Sequence, residues 1–273
     1  MAITPKLTVV SLETFSDKAW KRLSNYAFAA EEAVIPIVMM ELIRAVPAMP
    51  LAFLQSGDAF ELVAVTAMQP GTNWFVAPDG RWLGGYIPAA LRVYPFRLIK
   101  LQDRSENVLC IDEASGLIVE AGQGESFFDE KGEPNNIIKE LLDVLSKMER
   151  SRLETRIAVN ALAAAKLLRP WPINIKQEDK TVSMTGLYTM DETALKVLDN
   201  DAFLPLRRSG ALPVAYAQLF SMNQLSVLQR LLQQRNAQKA SASAPPPPPL
   251  TVQSLKGIKG IGLSQDDGIL KFS

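Results

Sequence analysis

PNNIIKELLDVLSKMERSRLETRIAVNALAAAKLLRP, residues 134–170, decides the fold. Pro134 opens the stretch. Ile137, Ile138, Leu141, Leu142, Leu145 and Met148 then recur at intervals of three and four, which lays them on one face of an α-helix. The pattern resumes at Leu153, Ile157, Ala161 and Ala164–Ala165, and Pro170 and Pro172 close it. The spacing predicts one long helix over 135–168. Its middle, ERSRLETR (149–156), reads as an exposed charged face with local ion pairs.

Upstream of this helix the signals are extended. LAFLQ (51–55) and FELVAVTAM (60–68) read as strands flanking a turn at Ser56-Gly57-Asp58. TNWFVAPDGRWL (72–83) reads as a strand followed by a Pro78-Asp79-Gly80 turn, where Pro fixes φ and Gly accepts a positive one. FRLIKLQ (96–102) and NVLCID (107–112) are two more strands. Ile37, Met40 and Ile43 suit one face of a short helix ended by Pro47 and Pro50. Residues 1–32 read as a mixed, surface-lying start, and 115–134 as an irregular, glycine-rich loop.

Downstream, PINIKQEDKTVSMTGLYT (172–189) reads as a hairpin turning at QEDK, with Leu187 in its return strand. DETALKVL starts a short helix capped by Asp191, and DNDAFLPLRRSG forms another, ended by Gly210. Ser221 is positioned to cap a last helix, in which Leu225, Leu228, Leu231 and Leu232 form an apolar stripe. The sum is an α+β fold: an antiparallel or mixed sheet packed by one long and several shorter helices, with a disordered Pro-rich C-terminal tail. The domain is expected over 1–240. An Ala/Ser/Pro-rich linker, 241–250, includes Pro245–Pro249, and a short tail covers 251–273.

Composition excludes several chemistries. The 273 residues include no histidine and one cysteine, Cys110, so Ser-His-Asp and Cys-His catalysis and His- or thiolate-based zinc sites are ruled out. Cys110 sits in an apolar run and reads as a buried small hydrophobe. Lys plus Arg balances Asp plus Glu at 29 each, with no basic surplus of the kind a nucleic-acid binder shows. LKGIKGIG (255–262) faintly resembles a DNA-binding hairpin, but it lacks a first helix, and nucleic acid is not the expected partner. The longest apolar run, AVIPIVMM (33–40), is too short to span a bilayer. With no basic-then-apolar signal at the start, the expected location is cytoplasmic, the alternative being the cell surface by a route without an N-terminal signal.

GRWLGGYIPAALRVYPFRL (80–98) has two readings. Arg81, Trp82, Tyr86, Arg92 and Tyr94 offer guanidinium forks and aromatic faces that can grip a carboxylate or stack on a ligand. Alternatively, Gly84-Gly85 reverses the chain and the aromatics anchor the reversal to the core. Neither GxGxxG nor GxxxxGK[ST] is present there. Asp112, Glu113, Asp129, Glu130 and Glu133 are the nearby carboxylates, in spacings that match no metal loop. A site requires the aromatic-Arg stretch and an acidic segment to converge on one pocket.

The stretches DGRWLGGYIPAALRVYPF, CIDE, FFDEKGEP, GLYTMDETAL and YAQLFSMNQLSVLQRL, in that order, resemble the bacterial SapC family over about residues 20–232. The family is named for a protein associated with a paracrystalline surface layer and serum resistance. Its members tend to be encoded beside TonB-dependent receptors and flavin-dependent halogenase-like proteins. The resemblance carries over no catalytic residues, cofactor or metal. The missing histidine, the single cysteine and the absence of a catalytic motif favour a non-catalytic binding or assembly protein, and the resemblance implies a protein partner from the envelope, surface layer or uptake systems. The alternative is an enzyme or enzyme partner acting on a small molecule through Arg, Tyr and carboxylates of 79–97 and 112–130.

Overall fold

A computed structural model describes residues 6–100, 107–177 and 180–243. In chain order the elements are β1 (Leu7–Val9), α1 (Leu12–Phe15), β2 (Lys18–Trp20), β3 (Val34–Pro36), α2 (Leu42–Ala45), β4 (Leu51–Ser56), β5 (Ala59–Val65), α3 (Ala89–Arg92), β6 (Phe96–Lys100) and β7 (Asn107–Asp112). There follow β8 (Ile118–Glu120), β9 (Glu125–Ser126), α4 (Asn136–Ala164), β10 (Leu168–Pro170), β11 (Ile173–Gln177), β12 (Lys180–Met184) and β13 (Leu187–Met190). Four helices end the described chain: α5 (Glu192–Lys196), α6 (Asn200–Arg208), α7 (Ala211–Ser221) and α8 (Leu225–Ser243). The fold is α+β. The chain divides into two units, 1–233 and 234–273, and the packing described below lies in the first. Of the second, only the end of α8 is described; the expected linker and tail from 244 onward lie outside the described residues.

The long helix organises everything else. At 1.5 Å per residue, α4 is about 43 Å long. Asn135 caps it by accepting from the Ile138 N–H, and the same side chain donates to the Ser126 carbonyl, which ties the helix start to β9. Ile138 and Leu145, in the first half, enter a core with Phe15, Trp20, Phe96, Leu109, Ile111 and Phe127. Ala158, Val159 and Leu162, in the second half, enter a larger core with Phe53, Leu62, Phe75, Val214 and Leu228. The larger core underlies a five-stranded antiparallel sheet of order β10-β13-β4-β5-β3. The smaller one underlies the three-stranded sheet β1-β7-β6. A third small sheet, β8-β2-β9, completes that end of the molecule.

Several expectations are corrected. The helix stops at Ala164, not 168: Lys166 takes a positive φ of 55°, and the Leu167 N–H turns back to the Leu162 carbonyl. Pro170 therefore belongs to β10 and does not end the helix. Residues 72–77 make no strand but a turn held by Asn73, with an isolated bridge from Val76 to Trp82. Ile37 follows β3, and Ile43 is 90% exposed; Leu42 and Ala45 are the inward residues of α2. From residue 7 the start is structured, with β1 and β2 paired into sheets and Phe15 and Trp20 buried. The glycine-rich loop contains β8 and β9. The hairpin forms as β11 and β12, but Leu187 belongs to β13, and two residues of its turn lie outside the described residues. The sequence reading missed α7 entirely. Its Ser221 is no N-cap: the hydroxyl donates to the Gln218 carbonyl and accepts from the Leu51 N–H.

Ile157 is 59% exposed although it falls on the apolar spacing, whereas Leu162 is fully buried. Leu162→Ala is expected to destabilise the protein by about 2–5 kcal/mol, and Ile157→Ala by about 0.5 kcal/mol or less, as read by urea denaturation.

Candidate functional site

Residues 79–98 are built around turns. Asp79 accepts from the Arg81 backbone N–H and from its Nε at 2.6 Å, so Arg81 is an exposed residue spent on its own turn. That guanidinium holds the Asp79 carboxyl below its ordinary value. Trp82 stacks on Phe75 with ring centroids 5.2 Å apart, and its Nε1 donates to the Tyr86 carbonyl at 2.8 Å. Gly84 lies against both rings; a Cβ there would sit 2.7 Å from Phe75 and 2.8 Å from Trp82. That close approach excludes any side chain. Arg92 donates from Nε to the Ile87 carbonyl at 3.1 Å and lies 5.8 Å from the Tyr86 ring centroid.

The anchor of this loop is a residue that the sequence reading passed over. Glu41 is 3% exposed. Its Oε1 accepts from the Tyr86 hydroxyl at 2.7 Å and the Ala89 N–H at 2.6 Å, and its Oε2 accepts from the Val38 N–H at 3.1 Å. Burying a carboxylate is costly unless its lone pairs are filled, and here three donors fill them. Burial, then the Glu41 hydrogen bond and charge, push the Tyr86 hydroxyl up to about 12. The legible signal was a single acid inside the apolar run AVIPIVMMELIRAV.

Tyr94 faces elsewhere. Its ring stacks on Phe28 at 4.0 Å, and its hydroxyl donates to Asp112 Oδ2 at 3.4 Å. Burial, then the neighbouring Asp112, raise the Tyr94 hydroxyl above its ordinary value. Asp112 is itself buried and accepts from the Lys6 and Ala114 N–H groups. Glu113 pairs with Lys6 at 2.5 Å, and Asp129 closes its own loop by accepting from Lys131 and Glu133.

Tyr94 and Asp112 share a groove of about 810 Å³. It runs over the middle of α4, from Leu145 to Val159, between β3 and β5 on one side and β6 on the other. Its floor is apolar: Ile35, Ile37, Leu62, Leu91, Phe96, Leu145 and Val159. Six carboxylates line it, Glu31, Glu32, Glu41, Glu61, Asp112 and Glu149, against three arginines, Arg97, Arg152 and Arg156. Arg152 forks onto Glu149 at 2.7 and 2.6 Å, which depresses the Glu149 carboxyl. Of the five residues singled out from the sequence, Tyr94 lines this groove; Arg81, Trp82, Tyr86 and Arg92 form the turn beside it. Asp129, Glu130 and Glu133 do not line it. Among the described residues, no group of three or more acids or cysteines is placed to hold a metal ion.

The SapC family profile matches residues 10–228. This chain belongs to the SapC family. The match covers every wall of the groove and the Glu41 anchor. Comparison with curated proteins and with solved structures returned no match.

Because the Tyr86 hydroxyl ionises at higher pH in the folded chain than in the unfolded one, its stabilisation is complete below pH 10 and declines as pH rises towards 12. Tyr86→Phe leaves Glu41 one donor short and is expected to cost about 1–3 kcal/mol at pH 8. The difference between wild type and this variant is expected to shrink between pH 10 and 12 in denaturation series.

Proposed function

We propose that this SapC-family chain is a binding or assembly protein that seats a protein partner of the cell envelope, surface layer or an uptake system in the groove over α4. The groove carries the reading. It has an apolar floor, a charged rim, and walls set by two separate sheets on one helix, the features of a groove that takes a polypeptide segment. The family name supplies the envelope context. No helix among the described residues is long and apolar enough to cross a membrane, so this part of the chain offers no helical span as an anchor.

A second reading has one specific observation behind it. Tyr94, Asp112 and Arg97 all line the groove, and the Tyr94 hydroxyl lies 3.4 Å from Asp112. A hydroxyl, a carboxylate and a guanidinium together can orient a small polar molecule, and this is the enzyme or enzyme-partner alternative.

Photo-crosslinking in the native cell separates the two. A benzoylphenylalanine at Met148, a half-buried residue that lines the groove, is expected to give a discrete protein adduct that the same probe at exposed Ile43, outside the groove, does not give. Mass spectrometry identifies the partner, and fractionation of the adduct assigns its compartment. Equal patterns at both positions, or no adduct from either, remove the groove as a partner's seat and favour the small-molecule reading.

A further inference from the structure

We infer that the groove's occupant is an extended, basic stretch of polypeptide that pairs with β6 as a fourth strand of the sheet β1-β7-β6. The inference rests on the reading of the groove as a partner's seat and adds how the partner is gripped.

The register of β6 decides which way its backbone faces. The Asp112 N–H donates to the Pro95 carbonyl, so these two form a hydrogen-bonded pair of the ladder. Such pairs alternate in an antiparallel sheet. Arg97 opposite Cys110 and Ile99 opposite Val108 are therefore the next bonded pairs, and their N–H and C=O groups point at β7. Leu98 and Lys100 point theirs the other way. Among the described residues no strand lies on that side, and Phe96, Arg97 and Leu98 line the groove. The Phe96 N–H is spent on the Val93 carbonyl, so among the described residues the open donors and acceptors of this edge are at Leu98, on the groove, and at Lys100 next along, the spacing an extended chain matches.

The opposite wall is a poorer template. The bonded pairs between β3 and β5 are Ala33 with Thr66, Ile35 with Ala64 and Ile37 with Leu62, so Val34 and Pro36 turn outward, and Pro36 has no N–H to give there. Beyond Ile37 the chain leaves β5. The Met39 and Met40 N–H groups go to Thr155 and Ser151 of α4, so the outward-facing positions on this wall, Val34 and Phe60, are interrupted by Pro36 and by the departing chain. Strand β6 offers Leu98 on the groove and Lys100 just beyond it, with no proline between them.

Charge fixes the occupant's chemistry. With Glu149 and Arg152 paired to each other, five carboxylates remain against Arg97 and Arg156. A cleft with low-dielectric walls concentrates this negative excess, which favours Lys or Arg on the guest. Along an extended guest, side chains alternate between faces, so apolar residues on the inner face meet Leu145 and Val159 while basic ones on the other meet the rim.

The test uses the full chain and the synthetic peptide Ac-TKVKVKVT-NH2. The comparison peptides carry Glu in place of Lys, or N-methyl groups on alternate backbone nitrogens along either edge. The Lys peptide is expected to bind about ten-fold or more tighter than the Glu peptide at low salt, with the gap closing as salt is added. N-methylation along one edge is expected to cost about ten-fold or more, and along the other edge little. Glu61→Lys, at an exposed rim position, is expected to weaken the Lys peptide and not the Glu peptide. By hydrogen exchange, saturation with the Lys peptide is expected to slow the Leu98 amide about ten-fold and leave Phe60 unchanged. Equal affinities for the Lys and Glu peptides, indifference to N-methylation on both edges, or protection at Phe60 in place of Leu98 each overturn the inference. If those failures occur while Met148 still crosslinks a partner, strand pairing is wrong and the seat stands; if the crosslink fails too, the seat itself is wrong.

Discussion

One helix has to serve two cores, and the rest of the structure follows from how it does so. The first half of α4 gives Ile138 and Leu145 to the smaller core, and the second half gives Ala158, Val159 and Leu162 to the larger. Between them the buried residues are Ser151 and Thr155, which are small and polar. Their hydroxyls accept the Met40 and Met39 N–H groups, and Thr155 returns its own proton to the Ser151 carbonyl at 2.6 Å. The middle of the helix is therefore joined to the chain by hydrogen bonds, not by apolar packing. A large apolar side chain at either position would push the 39–40 turn away and break both part-buried hydrogen bonds. Because the cores part here, the surface above the junction is a groove.

The same turn carries the carboxylate that fixes the groove's neighbouring loop. Residues 39–41 lie on α4 through Met39 and Met40, and Glu41 then collects Val38, Tyr86 and Ala89. The order of dependence runs from helix to turn, from turn to Glu41, and from Glu41 to the 86–92 segment. Arg92 and Tyr86 are spent on each other and on that anchor, which is why a stretch rich in ligand-type side chains serves chiefly as scaffold. Tyr94 escapes this fate because it stands past α3, where the chain turns into β6 and faces Asp112.

What the sequence made legible follows from period and length. The long helix, the β4–β5 pair and the β6–β7 pair were readable because each repeats its pattern over five residues or more. Strands β1, β2, β8 and β9 are two or three residues long, too short to display any period, and their pairing partners are distant in sequence. Helix α7 hid for a different reason. Ala211, Val214, Ala215, Ala217, Gln218 and Ser221 are all buried, so its inward apolar residues are small, its inward face includes polar ones, and its large Tyr216 and Phe220 are exposed. Gln218 looks like a surface residue in sequence, yet it bonds to Met190, Thr189 and Leu51 across the core. At the site, the carboxylate cluster was partly readable through Asp112, whereas the groove depends on where two sheets end, and no local window holds that information.

The prolines show how the open edge came to be where it is. In the five-stranded sheet both outer strands carry one: Pro36 in β3 and Pro170 in β10. The bonds from Trp171 to the Leu187 carbonyl and from Asp191 to the Leu167 carbonyl set the β10 register, and it turns Pro170 outward just as Pro36 is turned in β3. Each edge of that sheet thus lacks a donor where a foreign strand would need one. Strand β6 has no proline between Phe96 and Lys100, although Pro95 precedes it. Pro95 sits in a bonded pair facing β7, so its missing N–H is withheld from the neighbour inside the sheet and not from the groove. Two edges are closed by proline and a third is left open against an acidic, apolar-floored groove. That contrast between the two walls of the groove is the physical ground for proposing β6 as the wall that takes the partner.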